Sequence, residues 1–79
     1  MNKAIETQIG ANIRHIRESK NITLDELAAK LQIAGCDITR SAIAKIEVGQ
    51  RHLYPDEILL IKEILQTDFE KIFYGEKRK

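Results

Sequence analysis

Arg40, Ser41, Ala44 and Lys45 are the residues whose types and spacing point most directly to chemistry. If the stretch Thr39 to Gly49, T-R-S-A-I-A-K-I-E-V-G, is helical, these four share one side and Ile43 and Ile46 share the other. Arg and Lys donors suit the guanine acceptors in a DNA major groove, Ser can donate or accept, and a small Ala tolerates a thymine methyl. No large hydrophobe interrupts that face. The bland alternative is an ordinary solvated helix surface, which carries the same residue types.

Other chemistries find little to work with. Cys36 is the sole cysteine, so no internal disulfide can form, and it reads as a small residue in a turn. His15 and His52 are scattered, giving no metal-ligand spacing, and no cofactor is implied. There is no nucleophile with a neighbouring base, no paired-carboxylate constellation and no Gly-rich phosphate loop, so an enzyme is the weakest reading. No apolar run approaches the roughly 20 residues a membrane span needs, and the start, M-N-K-A-I-E-T-Q, lacks a signal peptide's apolar core. The expected compartment is cytoplasmic, with no membrane partner.

The net charge of +1 argues against nucleic acid, because phosphate neutralisation dominates such affinity. Its distribution softens the objection. Residues 55–76 hold two Lys or Arg against six acids, a local balance of −4, whereas residues 1–54 are slightly basic and Lys77, Arg78 and Lys79 are all cationic. If the acidic third faces away from the ligand, the remaining surface is modestly basic. Lys3 and the terminal cations read as solvating charges.

Seventy-nine residues suit one small domain burying about two-thirds of its unfolded surface. The elements that must position the polar face read as five helices without a strand. Ile5, Ile9, Ile13 and Ile16 mark the inner stripe of a first helix from about Glu6 to Ser19, stopped by Asn21, a residue that tolerates the left-handed conformation. Thr23-Leu24-Asp25-Glu26 has the form of a capping box and opens a second helix with Leu27, Ala28 and Leu31 inward, running to about Ala34 before Gly35. Cys36 to Ile38 form a turn, Thr39 caps the third helix and Gly49 ends it. Pro55, Asp56 and Glu57 open a fourth helix reaching about Gln66, with Ile58, Ile61 and Leu65 as its core stripe and Leu59, Leu60 and Ile64 widening its apolar surface. Thr67-Asp68-Phe69-Glu70 reads as a second capping box, opening a short fifth helix in which Phe69, Ile72 and Phe73 share a face. The core spans about residues 6–74, and 75–79 read as a frayed tail.

These pieces in this order resemble the phage-repressor and Cro type of helix-turn-helix DNA-binding domain over residues 9–73. The matching motifs are I-x-x-x-I-x-x-I-R in helix one, T-L-D-E-L-A-x-x-L in helix two, T-R-S-A-I-A-K-I-E-V-G in helix three and P-x-x-x-x-x-I-x-x-x-L in helix four. The resemblance implies an all-α bundle in which helix two braces the DNA backbone and helix three, 39–48, enters the major groove of double-stranded DNA. Carried over by position, Arg40, Ser41, Ala44 and Lys45 face bases, and Thr39 and Arg51 face the backbone, with Arg14 and His52 as lesser backbone candidates. The family pattern pairs Arg17 with Glu47 as a structural link between helices one and three.

Two departures stand out. The family commonly has Gln directly after the helix-two cap, where this chain has Leu24, so that phosphate contact is in doubt. Leu27 to Glu47 spans 20 residues, longer than the common form, and the extra residues around Gln32 to Asp37 should lengthen helix two and widen its link to helix three. Members of the family commonly pair as two-fold dimers whose recognition helices lie one DNA turn, about 34–36 Å, apart. The broad apolar surface of helices four and five makes a homodimer the expectation, through Leu60, Ile64, Phe73 and Tyr74. The leading function is a sequence-specific transcriptional regulator acting as a repressor. The competing reading is a protein-interaction module, an antitoxin or regulatory subunit, acting through helices four and five.

Overall fold

Each helix begins where a side chain or proline supplies what the first turn lacks. The computed structural model describes residues 2–75, and the expectations placed on 76–79 lie outside the described residues. Helix α1, Lys3–Ser19, starts three residues before the expected Glu6, because Asn2 caps it by accepting from the Ile5 N–H at 3.1 Å. It stops at Asn21, whose φ of 59° is the left-handed geometry that Asn tolerates.

Helix α2, Leu24–Ile33, opens on the reciprocal cap: the Glu26 N–H donates to Thr23 Oγ1 at 3.0 Å and the Thr23 N–H donates to Glu26 Oε1 at 2.8 Å. The donation from Thr23 holds the Glu26 carboxyl below its ordinary range. Gly35, with φ of 94°, turns the chain out of this helix. Helix α3, Arg40–Glu47, is capped by Thr39, whose Oγ1 accepts from the Ala42 N–H at 3.1 Å.

Helix α4, Pro55–Ile64, ends before the expected Gln66, because Gln66 adopts φ of 54° and the Thr67 N–H closes back onto Lys62 O at 3.1 Å. That turn leaves Thr67 outside the next helix. Asp68, not Thr67, caps α5, Phe69–Tyr74, accepting from the Lys71 N–H at 2.8 Å. Gly75, expected in the tail, is the C-cap of α5.

Helix α1 packs on α3 and α5, and α2 packs on α3 and α4. The core between them is aliphatic, with Ile13, Leu27, Leu31, Ile43, Ile61, Leu65 and Ile72 essentially inaccessible to solvent. Burying each such side chain contributes about 1.5–3 kcal/mol, so this cluster carries the bundle. Ile38, read from sequence as part of a turn, is also core at 2% exposure. The Gln32 amide donates to Ile38 O at 3.1 Å, so the long link between α2 and α3 is plugged by one side chain and held by another.

Two apolar expectations change. Ile5 is 56% exposed, since the α1 stripe extends past the helices that cover Ile13 and Ile16, and Ile58 is only half-buried. Asn12, by contrast, is buried, its amide donating to Ile72 O at 2.9 Å and its Oδ1 accepting from Gln8 at 2.8 Å, which fixes α5 against α1. Among the described residues no helix is long and apolar enough to cross a membrane.

Candidate nucleic-acid interface

Helix α3 has one face committed to the interior and one to solvent. Ile43, Ile46 and Glu47 are buried; Arg40, Ser41 and Lys45 are exposed, and Ala44 is half-buried between the two faces. The division follows from 3.6-residue periodicity, and what fixes the helix's rotation is the set of contacts behind it.

The closest of these involves no side chain on α1. A Cβ added at Gly10 would overlap Ile46 O and sit 3.0 Å from the Glu47 carbonyl carbon, so α1 and α3 cross backbone against backbone. Gly49, at φ of 78°, ends α3 close against Thr7, and Lys3 Nζ donates to Gly49 O at 2.6 Å. Beside this crossing Arg17 forks onto Glu47, Nε to Oε2 at 2.8 Å and Nη2 to Oε1 at 3.0 Å, with Nη1 donating to Ile22 O at 2.7 Å. The side chains of the pair are 8% and 3% exposed, and the Glu47 hydrogen bonds raise the Arg17 guanidinium above its ordinary value. Arg17 and Glu47 therefore lie behind α3, remote from its solvent face.

On that solvent face, Arg40 Nε lies 3.2 Å from Oδ1 of Asp25, in the first turn of α2, with the side chains 61% and 79% exposed. Among the described residues the Ser41 hydroxyl and the Lys45 ammonium have no hydrogen bond or ion pair, and no acidic residue closes over them. The acid-rich α4 and α5 pack on α2 and α1 rather than chiefly on α3.

The four residues expected to face the DNA backbone are differently disposed. Thr39 is exposed at the cap of α3, where its oxygen accepts from Ala42 and its hydroxyl proton stays available. Arg14 pairs with Glu18 one turn along α1 at 3.1 Å. His52 Nδ1 lies 2.8 Å from Glu6 Oε2, tying the loop after α3 to α1.

Arg51 differs most from expectation. Its guanidinium forks onto Glu57 at 3.0 and 3.1 Å, also donates to His52 O, and lies 5.6 Å from the Tyr54 ring centroid. The hydrogen bonds it donates to Glu57 raise its pKa. Burial pushes the Glu57 carboxyl up, but the Arg51 fork and the Tyr54 N–H outweigh it and hold the group below its ordinary value. Sequence placed Glu57 as a helix-dipole acid; it also anchors the loop that carries Arg51.

Other potential sites are weak. The Cys36 thiol is half-buried, and burial followed by the nearby Glu57 and Asp56 carboxylates pushes its pKa up, away from a reactive thiolate. A cavity of about 100 Å³ between Ile9, Gly10, Ile46, Leu53 and Ile58 falls well short of the roughly 300–1,000 Å³ of ordinary ligand sites, and the hollows of about 380 Å³ beside Gln50 and His52 and about 370 Å³ beside Phe73 and Tyr74 are open to solvent. Among the described residues no group of three or more His, Cys, Asp or Glu could hold a metal ion.

The sequence reading missed Gly10, Asn12, Lys3, Asp25 and the anchoring role of Glu57. Only Gly10 left a local signal, a glycine inside a helical pattern, which costs about 1 kcal/mol against Ala unless close packing needs it. A protein-family comparison matches residues 13–72 to a family described as helix-turn-helix. Comparisons with curated proteins and with solved structures return no match.

Proposed function

The chain belongs to the helix-turn-helix family of the phage-repressor and Cro type, and from that premise we propose that it binds double-stranded DNA sequence-specifically as a small transcriptional repressor. The observation that carries the reading is the solvent face of α3. Arg40, Ser41 and Lys45 stand exposed on a helix whose opposite face is locked by Ile43, Ile46 and the Arg17–Glu47 fork. A rigidly backed polar helix is what a major groove can accept.

Arg40 and Lys45 read base edges, with Ser41 and Ala44 beside them. Thr39, with its hydroxyl proton available, is the first candidate for a phosphate contact. Arg14, Arg51 and His52 would reach phosphate only by sharing or exchanging their carboxylate partners. Repression follows from occupancy: a protein seated in the groove excludes other proteins from the duplex. Such a protein works in the cytoplasm, without cofactor or catalysis.

A homodimer places two α3 helices on successive turns of the groove. The apolar surface available for it differs from expectation. Leu60 and Ile64 are half-buried against the core, whereas Leu59, Phe69, Phe73 and Tyr74 are 45%, 39%, 37% and 78% exposed. The interface we propose is the α4 and α5 surface, with Tyr74 its most exposed large side chain and Leu59, Phe69 and Phe73 around it.

Selection of bound duplexes from a random pool tests binding, specificity and half-site symmetry together. Arg40→Ala or Lys45→Ala is expected to relax preference at particular base pairs by about 1–3 kcal/mol. Affinity should fall steeply with salt, by about 0.9 logarithmic units per phosphate neutralised for each tenfold rise. The second reading, a protein-interaction module, draws on Ile33 and Tyr74, 87% and 78% exposed. A flat salt response with no enriched duplex would favour it over the first.

A further inference from the structure

Among the described residues, the one acidic group paired with an exposed α3 side chain is Asp25, and we propose that it sets the DNA specificity of Arg40 as a positioning residue. The inference rests on the reading of α3 as the base-contacting helix. An arginine at the edge of a duplex has two choices. It can lie back along a phosphate, which carries no sequence information, or extend end-on to a guanine, where its two terminal nitrogens match O6 and N7. Asp25 Oδ1 lies 3.2 Å from Nε of Arg40 as an ion pair. That contact is made at Nε, and among the described residues neither terminal nitrogen has a hydrogen-bond partner, which leaves both for the end-on contact.

Three further observations separate this from a stray surface ion pair. The two residues come from different helices, so the pair is not the local product of one helix's spacing. Neither is buried, at 61% and 79% side-chain exposure, so the fold does not rest on the contact and Arg40 stays accessible to a duplex. The cap of α2 is already completed by Thr23 and Glu26, which leaves Asp25 without a capping duty.

A carboxylate on a phosphate-facing surface also carries a cost, because it repels every duplex alike. In a chain of net charge +1 that repulsion lowers affinity for random sequence, while the hold on Arg40 favours the one base pair that accepts an end-on guanidinium. Asp25 thus widens the gap between right and wrong duplexes at the expense of binding strength.

The test uses the full chain, the duplex selected from a random pool, and a random duplex of the same length, with Asp25→Asn, Asp25→Glu, Arg40→Ala and the double variant Asp25→Asn with Arg40→Ala. Arg40→Ala should relax preference at one or two base pairs. Asp25→Asn should relax the same base pairs by about two- to fivefold, the span of an exposed ion pair, while binding random duplex more tightly. Asp25→Glu, which keeps the charge, should retain more of the preference than Asn, and the double variant should relax it no further than Arg40→Ala alone.

Melting curves serve as the folding control, and Asp25→Ser replaces Asp25→Asn if that variant does not fold. If Arg40→Ala relaxes a base pair that Asp25→Asn leaves intact, the role of Asp25 is overturned and the DNA-reading α3 stands. If Arg40→Ala changes no base preference, the role of Asp25 falls, and the DNA-reading α3 falls with it if Lys45→Ala changes none either. Relaxation by Asp25→Asn that persists undiminished in the Arg40→Ala background also overturns it, since Asp25 would then act without Arg40.

Discussion

Replacing Arg17 with methionine should cost the protein much of its stability without touching the solvent face of α3. The substitution keeps an unbranched chain of similar length but removes the fork onto Glu47, whose side chain is only 3% exposed and would keep a charge with no partner. Breaking one member of such a pair costs about 3–5 kcal/mol. A domain of 79 residues has roughly 4–12 kcal/mol in total, so Arg17→Met sits near the unfolding threshold. Glu47→Leu should cost less. Arg17 Nη2 is already 3.9 Å from Glu18 Oε2 and Nη1 keeps Ile22 O, so the arginine left behind has other acceptors.

The double variant removes both charges, and apolar replacement of a buried pair is often neutral or stabilising. It should therefore recover most of what Arg17→Met loses, minus about 1 kcal/mol for the carbonyl of Ile22. Urea unfolding followed by helical circular dichroism reads the series. At slopes of about 1–1.5 kcal/mol/M the single Arg17 variant should shift its midpoint by roughly 2–5 M, or be unfolded in buffer. A double variant as unstable as the sum of the two singles would refute the argument, because no coupling would exist between the groups. Once refolded, the double variant should bind the selected duplex close to the parent.

Gly10→Ala is a second test of the α1 and α3 crossing. Helix propensity alone would stabilise it by about 1 kcal/mol, but the added methyl meets Ile46 O, so a net loss of about 1–3 kcal/mol is expected in the same urea assay. Glu57, depressed in the folded state, contributes stability that is present above its ordinary value of 4.5 and lost as pH falls through the lower folded value. The stability advantage of the parent over Glu57→Gln should therefore shrink as pH falls below 4.5; parallel melting profiles on acidification would deny Glu57 its role. For the dimer, sedimentation at tens of micromolar should show the parent heavier than Phe73→Ser with Tyr74→Ser, and a monomeric parent with and without selected duplex would end that proposal.

Much of the frame was legible from residue order because its signals are local. Thr23 with Glu26, Thr39, Asn21, Gly35, Gly49 and Pro55 each act within one turn of chain, and each stands at a helix boundary in the structure. Thr67 misled because Asp68, one residue on, is an equally good cap, and the turn at Gln66 decided between them. Ile5 misled because periodicity gives a face but not how far along it a partner helix reaches.

At the site, the solvent face of α3 could be drawn from spacing, and the resemblance supplied the pairing of Arg17 with Glu47. The partners of Arg40 and Arg51 could not. Asp25 lies on another helix, 15 positions from Arg40, and Glu57 lies six positions past the loop residue Arg51, so the folded chain alone sets the ion pair of the first and the hydrogen-bonded fork of the second. Gly10 was hidden for the same reason, since its missing side chain matters only once α3 is known to lie across it.

The backbone-to-backbone crossing at Gly10 also bears on how this chain could acquire a new target. Helix α3 is gripped through Ile43, Ile46, Glu47 and its own carbonyls, none of which belongs to the solvent-facing set. Positions 40, 41 and 45 can therefore vary almost without mechanical consequence, and only 44, half-sunk, limits side-chain size. Lettering and lock are physically separate, so a library confined to those outward positions would explore new vocabularies on an unchanged chassis.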